Sequence, residues 1–161
     1  MRSGEAQRDD ARLKFDTIVV ALDTSALAET VLRDVTDVAK LLSLNVILAH
    51  AYELPLFAYY GAEDYYDLHY RNLAARVKDE AHRYLDGKVE ELKGKGLAKV
   101  SSVLLEGPAA EEIIAFTRSE PNSLLAMCTH GYSDVKRWVL GSVTEKVVRH
   151  SGEPVLVLRA A

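Results

Sequence analysis

Apolar residues along this chain follow two alternating rhythms. Short apolar runs at residues 17–22, 46–50, 101–106, 124–127 and Val155–Leu158 have the character of strands in a parallel sheet covered on both faces. Between them, apolar positions recur three or four residues apart, the spacing of a helix with one buried face. Leu27, Val31, Val35, Val38 and Leu42 predict one helix, capped by Ser25. Leu73, Val77, Tyr84 and Leu92 predict the inner face of a long helix over residues 68–92. Ile113, Ile114 and Phe116 predict a third, and Val143, Val147 and Val148 a fourth.

Turn-forming residues separate these segments. Asn45 marks a turn before the second strand, and residues 53–67 read as irregular, with Pro55 and Gly61. Gly87 inside the long helix costs about 1 kcal/mol relative to alanine and offers a place for a kink. Gly94-Lys95-Gly96 ends that helix, Gly107-Pro108 turns into the next, and Glu120-Pro121-Asn122 closes it. Ser142 and Glu145 have capping-box spacing, which predicts Ser142 as the N-cap of the fourth helix; Gly152 and Pro154 stop it. Strands alternating with helices, without a hairpin signal, predict α/β architecture: a single doubly wound domain over residues 15–161 after a polar arm at residues 1–14.

Bulk properties narrow the function classes. The composition, 48% hydrophobic and 27% charged, is that of an ordinary globular domain. A net charge of −4 gives no general attraction to nucleic acid or anionic lipid. One cysteine forms no internal disulfide, and the charged first fifteen residues lack an apolar signal core, so a cytoplasmic protein is expected. No apolar run of about 18 residues is present, so no membrane span is expected.

Candidate chemistry gathers at strand ends. In open α/β sheets ligands sit beyond the carboxyl ends of the strands, where the winding reverses. Asp23, Ala51 and residues 128–131 all fall at such ends. After the fourth strand the chain reads Met127-Cys128-Thr129-His130-Gly131, then nine residues, then Gly141-Ser142-Val143-Thr144. Two glycines bracketing a loop that ends on a helix N-terminus suit an anion cradle, since free amides and the helix dipole both favour negative charge. Neither a P-loop G-x-x-x-x-G-K-[ST] nor a G-x-G-x-x-G follows the first strand, which argues against an ordinary NTPase or a dehydrogenase. Nor is there a nucleophile elbow, and nothing positions a strong base against a γ-phosphate water.

The order of elements and this glycine spacing resemble the universal stress protein family, over nearly the whole of residues 15–159. The nucleotide-binding members carry G-x-x-G, nine residues, then G-S or G-T. Val20-Ala21-Leu22-Asp23-Thr24-Ser25 and Gly152-Glu153-Pro154-Val155 add to the likeness. The resemblance implies a five-stranded parallel sheet in the order 3-2-1-4-5 with helices on both faces. It further implies ATP or a related adenine nucleotide as a regulatory ligand in a stress response, with Mg²⁺ or Mn²⁺ held through the phosphates. Asp23 would bind the ribose hydroxyls and backbone near Ala51 the adenine. His130, Gly131, Gly141, Ser142 and Val143 would hold the phosphates, with Ala21, Leu22, Met127, Cys128 and Thr144 completing the site. A homodimer through antiparallel pairing of Val155–Leu158 is implied as well.

The sequence departs from the family pattern twice. Cys128 stands where the first glycine belongs, and Asn122-Ser123 replaces the aspartate usual before the fourth strand, a change expected to alter only a surface turn. The thiol either lies where ribose or α-phosphate would sit or points sideways into the core. A dimeric scaffold or chaperone-like module that binds no ATP is therefore the alternative. Six tyrosines, Tyr52, Tyr59, Tyr60, Tyr65, Tyr66 and Tyr70, crowd into nineteen residues, and either pack on the sheet mouth or a partner subunit or form a lid or aromatic platform for a ligand. Lys136 and Arg137 read as a solvated face, and Trp138 as a packing residue.

Overall fold

The apolar runs form five parallel strands, in a computed structural model that describes residues 14–54, 64–129 and 140–159. They are β1 (Thr17–Ala21), β2 (Asn45–Tyr52), β3 (Val100–Glu106), β4 (Ser123–Cys128) and β5 (Val155–Leu158), in the order β3-β2-β1-β4-β5. The expected architecture is therefore the observed one. Four of the five β1 residues are apolar, and all five are buried, as the central position requires. Register is set by pairs such as Val19↔Ile47 and Val19↔Leu125.

Alternate residues of each strand feed two cores. Ile18, Val20, Leu48 and Ala126 pack beneath α1 (Ala26–Glu29), α2 (Val31–Leu42) and α3 (Asp64–Gly94). Val19, Ala21, Ala49, Leu125 and Met127 pack beneath α4 (Ala109–Ser119) and α5 (Ser142–His150). Each fully buried leucine or valine in these layers contributes about 1.5–3 kcal/mol relative to exposure.

Several local expectations are corrected. The helix after β1 is two helices that meet at Thr30, whose hydroxyl donates to the Leu27 carbonyl at 2.7 Å. Leu42, expected inside, is exposed, while Leu32 and Ala39 are buried. The turn before β2 falls at Ser43, whose φ of 57° is left-handed, and Asn45 already belongs to the strand. The long helix begins at Asp64, so residues 64–67 are helical rather than irregular, and it runs unbroken through Gly87. Its inner face is Ala81, Leu85, Val89 and Leu92; Leu73 is exposed, Val77 is half-buried, and Tyr84 packs at the margin. Ser123 is no surface residue: it opens β4, is buried, and donates to the Thr117 carbonyl at 3.3 Å.

Two interhelical links fix the elements that border the crevice described below. Lys88 of α3 reaches Glu29 of α1 at 2.7 Å and Glu91 at 3.1 Å. Burial pulls the Lys88 ammonium down, but these two bonds outweigh it and hold its pKa above the ordinary lysine value. Arg118 of α4 donates to the carbonyls of Ser151 and His150 at 2.9 and 2.8 Å, satisfying the open carbonyl end of α5.

Candidate functional site

β1 and β4 are adjacent, yet their helices lie on opposite faces, so a crevice opens beyond their carboxyl ends. A cavity of about 300 Å³ occupies it. Its wall contains Ala21, Leu22, Asp23, Ala51, Met127, Cys128, Gly141, Ser142, Val143 and Thr144, ten of the twelve residues singled out from sequence. His130 and Gly131 lie outside the described residues, as do Lys136, Arg137 and Trp138. Ala28, Ala109 and Ile113 complete the wall and were not anticipated. For Ala28 and Ala109 the usable signal was a small residue in the first turn of a helix that follows a strand, where a larger side chain would close the crevice.

Asp23 leaves β1 through a tight turn. One carboxylate oxygen, Oδ1, accepts from the Ser25 amide at 3.0 Å and the Ser25 hydroxyl at 2.5 Å. The Ser25 hydroxyl oxygen in turn accepts from the Ala28 amide at 3.0 Å, capping α1. Between them Thr24 has φ of 67°, a strained conformation for a β-branched residue, held by this network. Asp23 therefore does serve the helix start, but with one oxygen only. Among the described residues no partner engages its Oδ2.

At the opposite wall α5 presents its N-terminus. Gly141, not Ser142, is the N-cap: its ψ of 149° is extended, and its carbonyl accepts from the Glu145 amide at 2.8 Å. The capping box does not form: Ser142 is the first helical residue rather than the cap, and Glu145 turns forward to Arg149 at 2.9 Å. Ser142, Val143 and Thr144 thus occupy the first three helical positions, whose amides have no intrahelical carbonyl to meet. The Thr144 side chain is committed elsewhere, donating to the Cys128 carbonyl at 2.9 Å and locking α5 to the end of β4. Gly141 N–H donates to the Thr129 carbonyl at 2.8 Å, a second tie at the same corner.

Cys128 belongs both to the core and to the cavity wall. It is 6% exposed, packs in the layer with Ala28 and Leu22, and still leaves the cavity open. The thiol forms part of the wall without filling the space. Among the described lining residues, the ionisable ones are Asp23 and Cys128. Among the described residues no group of three or more His, Cys, Asp or Glu side chains is arranged to hold a metal ion. Tyr52, from the tyrosine cluster, is buried and donates to Glu106 Oε2 at 2.6 Å; Tyr59 and Tyr60, and the side chains of Tyr65, Tyr66 and Tyr70, fall outside the described residues.

These elements define a doubly wound α/β domain with a crevice at its switch point. The sequence pattern of the universal stress protein family matches residues 14–159, and the chain belongs to that family. The universal stress protein MJ0577 of Methanocaldococcus jannaschii is 28% identical over 155 residues, spanning 90% of this chain and 95% of that protein. Its solved structure aligns with a TM-score of 0.76 over 92% of this chain and 98% of that one. A universal stress protein in complex with cAMP aligns with a TM-score of 0.65 at 19% identity, covering 92% and 99% of the two chains. The universal stress protein from Archaeoglobus fulgidus in complex with dAMP gives 0.57 at 21%, covering 89% and 97%. At these last two identities the likeness establishes the fold.

Proposed function

We propose that this chain is a stress-response protein that binds ATP or a related adenine nucleotide as a regulatory ligand. The observation that carries the reading is the convergence on one open cavity of a half-engaged carboxylate and the N-terminus of α5. A carboxylate oxygen accepts from ribose hydroxyls, and first-turn amides with the helix dipole suit phosphate oxygens. The apolar wall of Ala51, Ala109, Ile113 and Met127 suits a planar base. Family members of the same fold in complex with cAMP and dAMP support the adenine class. Mg²⁺ or Mn²⁺ would arrive on the phosphates, since the described wall offers a single carboxylate.

The test is calorimetry with ATP and Mg²⁺ on the wild type and on Cys128→Gly. Both are expected to bind, with affinities within about tenfold, because the thiol already lies in the wall. Binding by the glycine variant alone would favour the dimeric scaffold that takes no nucleotide.

The protein also acts as a homodimer in this proposal. β5 is an edge strand of four apolar residues, all half-buried in the single chain, and such an edge pairs readily with another. Val157→Arg is expected to shift the protein from dimer to monomer on size exclusion with light scattering. A dimer that survives the substitution would move the interface elsewhere. Among the described residues no helix is long and apolar enough to cross a membrane.

A further inference from the structure

The β1–β2 ladder stops one rung early, and a side chain completes it. Pairing runs to Ala21↔Ala49, and the last backbone bond is Leu22 N–H to the Ala49 carbonyl at 2.9 Å. In a parallel strand successive residues direct their backbone groups to alternate neighbours. Ala49 bonds toward β1, whereas the Tyr52 carbonyl accepts from Gly107 beyond β3. Ala51, two residues after Ala49, therefore faces β1, and the next rung would join its N–H to the Leu22 carbonyl. That rung is not made. The Leu22 carbonyl instead lies 2.8 Å from His50 Nδ1. A carbonyl oxygen only accepts, so Nδ1 carries the hydrogen and donates it. Among the described residues the Ala51 amide has no acceptor, and Ala51 lines the crevice.

We infer that His50 is a positioning residue for the crevice: by occupying the Leu22 carbonyl it keeps the Ala51 amide free to donate to a ligand. The ring is steadied for this task by Tyr84, edge-on with centroids 6.2 Å apart, which is itself covered by the Lys88 ammonium 5.9 Å from its ring centre. The bond also anchors the residue immediately before Asp23, so one imidazole sets both the end of β1 and the unpaired amide of β2. A heterocyclic base offers ring nitrogens and carbonyls that accept from such an N–H, and in this respect the inference rests on the nucleotide reading above. Without the imidazole donor, β1 and β2 zip by one more rung, and the amide is consumed.

Two substitutions separate donor from shape. His50→Phe keeps an aromatic ring against Tyr84 and removes the donor; His50→Asn places an amide N–H near the position of Nδ1. Amide hydrogen exchange of Ala51, read by NMR without nucleotide, is expected to slow at least about tenfold in His50→Phe and to stay near wild type in His50→Asn. Calorimetry with ATP and Mg²⁺ is expected to show about five- to tenfold weaker binding for His50→Phe and recovery in His50→Asn. Unchanged Ala51 exchange in His50→Phe, or equal loss of affinity in both variants, would overturn the role of His50. A wild type that binds no adenine nucleotide would overturn the functional reading, while the exchange comparison still decides the ladder argument.

Discussion

Asp23→Ala is expected to weaken adenine-nucleotide binding about a hundredfold, the loss of two hydrogen bonds to a charged acceptor facing ribose hydroxyls. The structure makes this site unusually open to dissection, because the two carboxylate oxygens are engaged differently. Oδ1 holds Ser25 through its amide and hydroxyl, and Ser25 caps α1; Oδ2 has no partner among the described residues. Alanine removes both roles. Asp23→Asn keeps an oxygen for Ser25 and replaces the other by a donor without charge. Its thermal midpoint is expected to stay close to wild type, while its affinity falls nearly as far as that of the alanine variant. Calorimetry for affinity and thermal denaturation for stability check the pair. A full-affinity Asn variant would show that Asp23 serves only the helix start.

Leu85→Ala is expected to cost about 3 kcal/mol, within the range for truncating a fully enclosed leucine, where lost transfer energy and a residual cavity add. Leu85 is 1% exposed and sits at the centre of the α3 face, between Ala81 and Val89. Leu73→Ala, on the same helix, is expected to change stability by less than about 0.5 kcal/mol, as exposed substitutions do. Urea unfolding of both variants measures the difference. Equal costs would mean that α3 is packed along its whole length.

That contrast explains what was legible in the sequence and what was not. Periodicity identified the long helix, and Leu73 and Val77 do lie four residues apart, in step with Ala81, Leu85 and Val89. A row of positions spaced by four drifts about 40° per step around a helix with 3.6 residues per turn, so a row buried at Leu85 has rotated away by Leu73. Length adds to this effect. Thirty-one residues of α3 span about 46 Å, whereas the eight residues of β2 span about 26 Å. The N-terminal half of α3 therefore extends past the sheet that would bury it. Sequence carries the period but not where the underlying layer ends.

The strands were easier to locate, because a strand buried on both faces leaves a continuous apolar run. Their spatial order came from family resemblance, and the sheet follows it. At the crevice, Asp23, Ala51 and the residues around Gly141 could be placed at strand and helix ends directly from the chain. The cap of α5 could not, because S-x-x-E spacing permits a box that Glu145 forgoes for Arg149. Ser123 was misplaced for a related reason. Next to Asn122, a polar residue suggests a turn, but the turn ends at Asn122 with φ of 55°, and Ser123 is already in the strand. No motif in the sequence marks His50 as a positioning residue. Its role depends on where β1 and β2 part, which no local pattern specifies.

The central claim is that a nucleotide lies between the Asp23 carboxylate and the first turn of α5. Two-dimensional amide NMR during titration with ATP and Mg²⁺ tests it most directly. Saturable shifts of the Ser142, Val143, Thr144 and Asp23 amides are predicted, since these groups border one cavity. Shifts confined to other surfaces, or none at millimolar nucleotide, would contradict it.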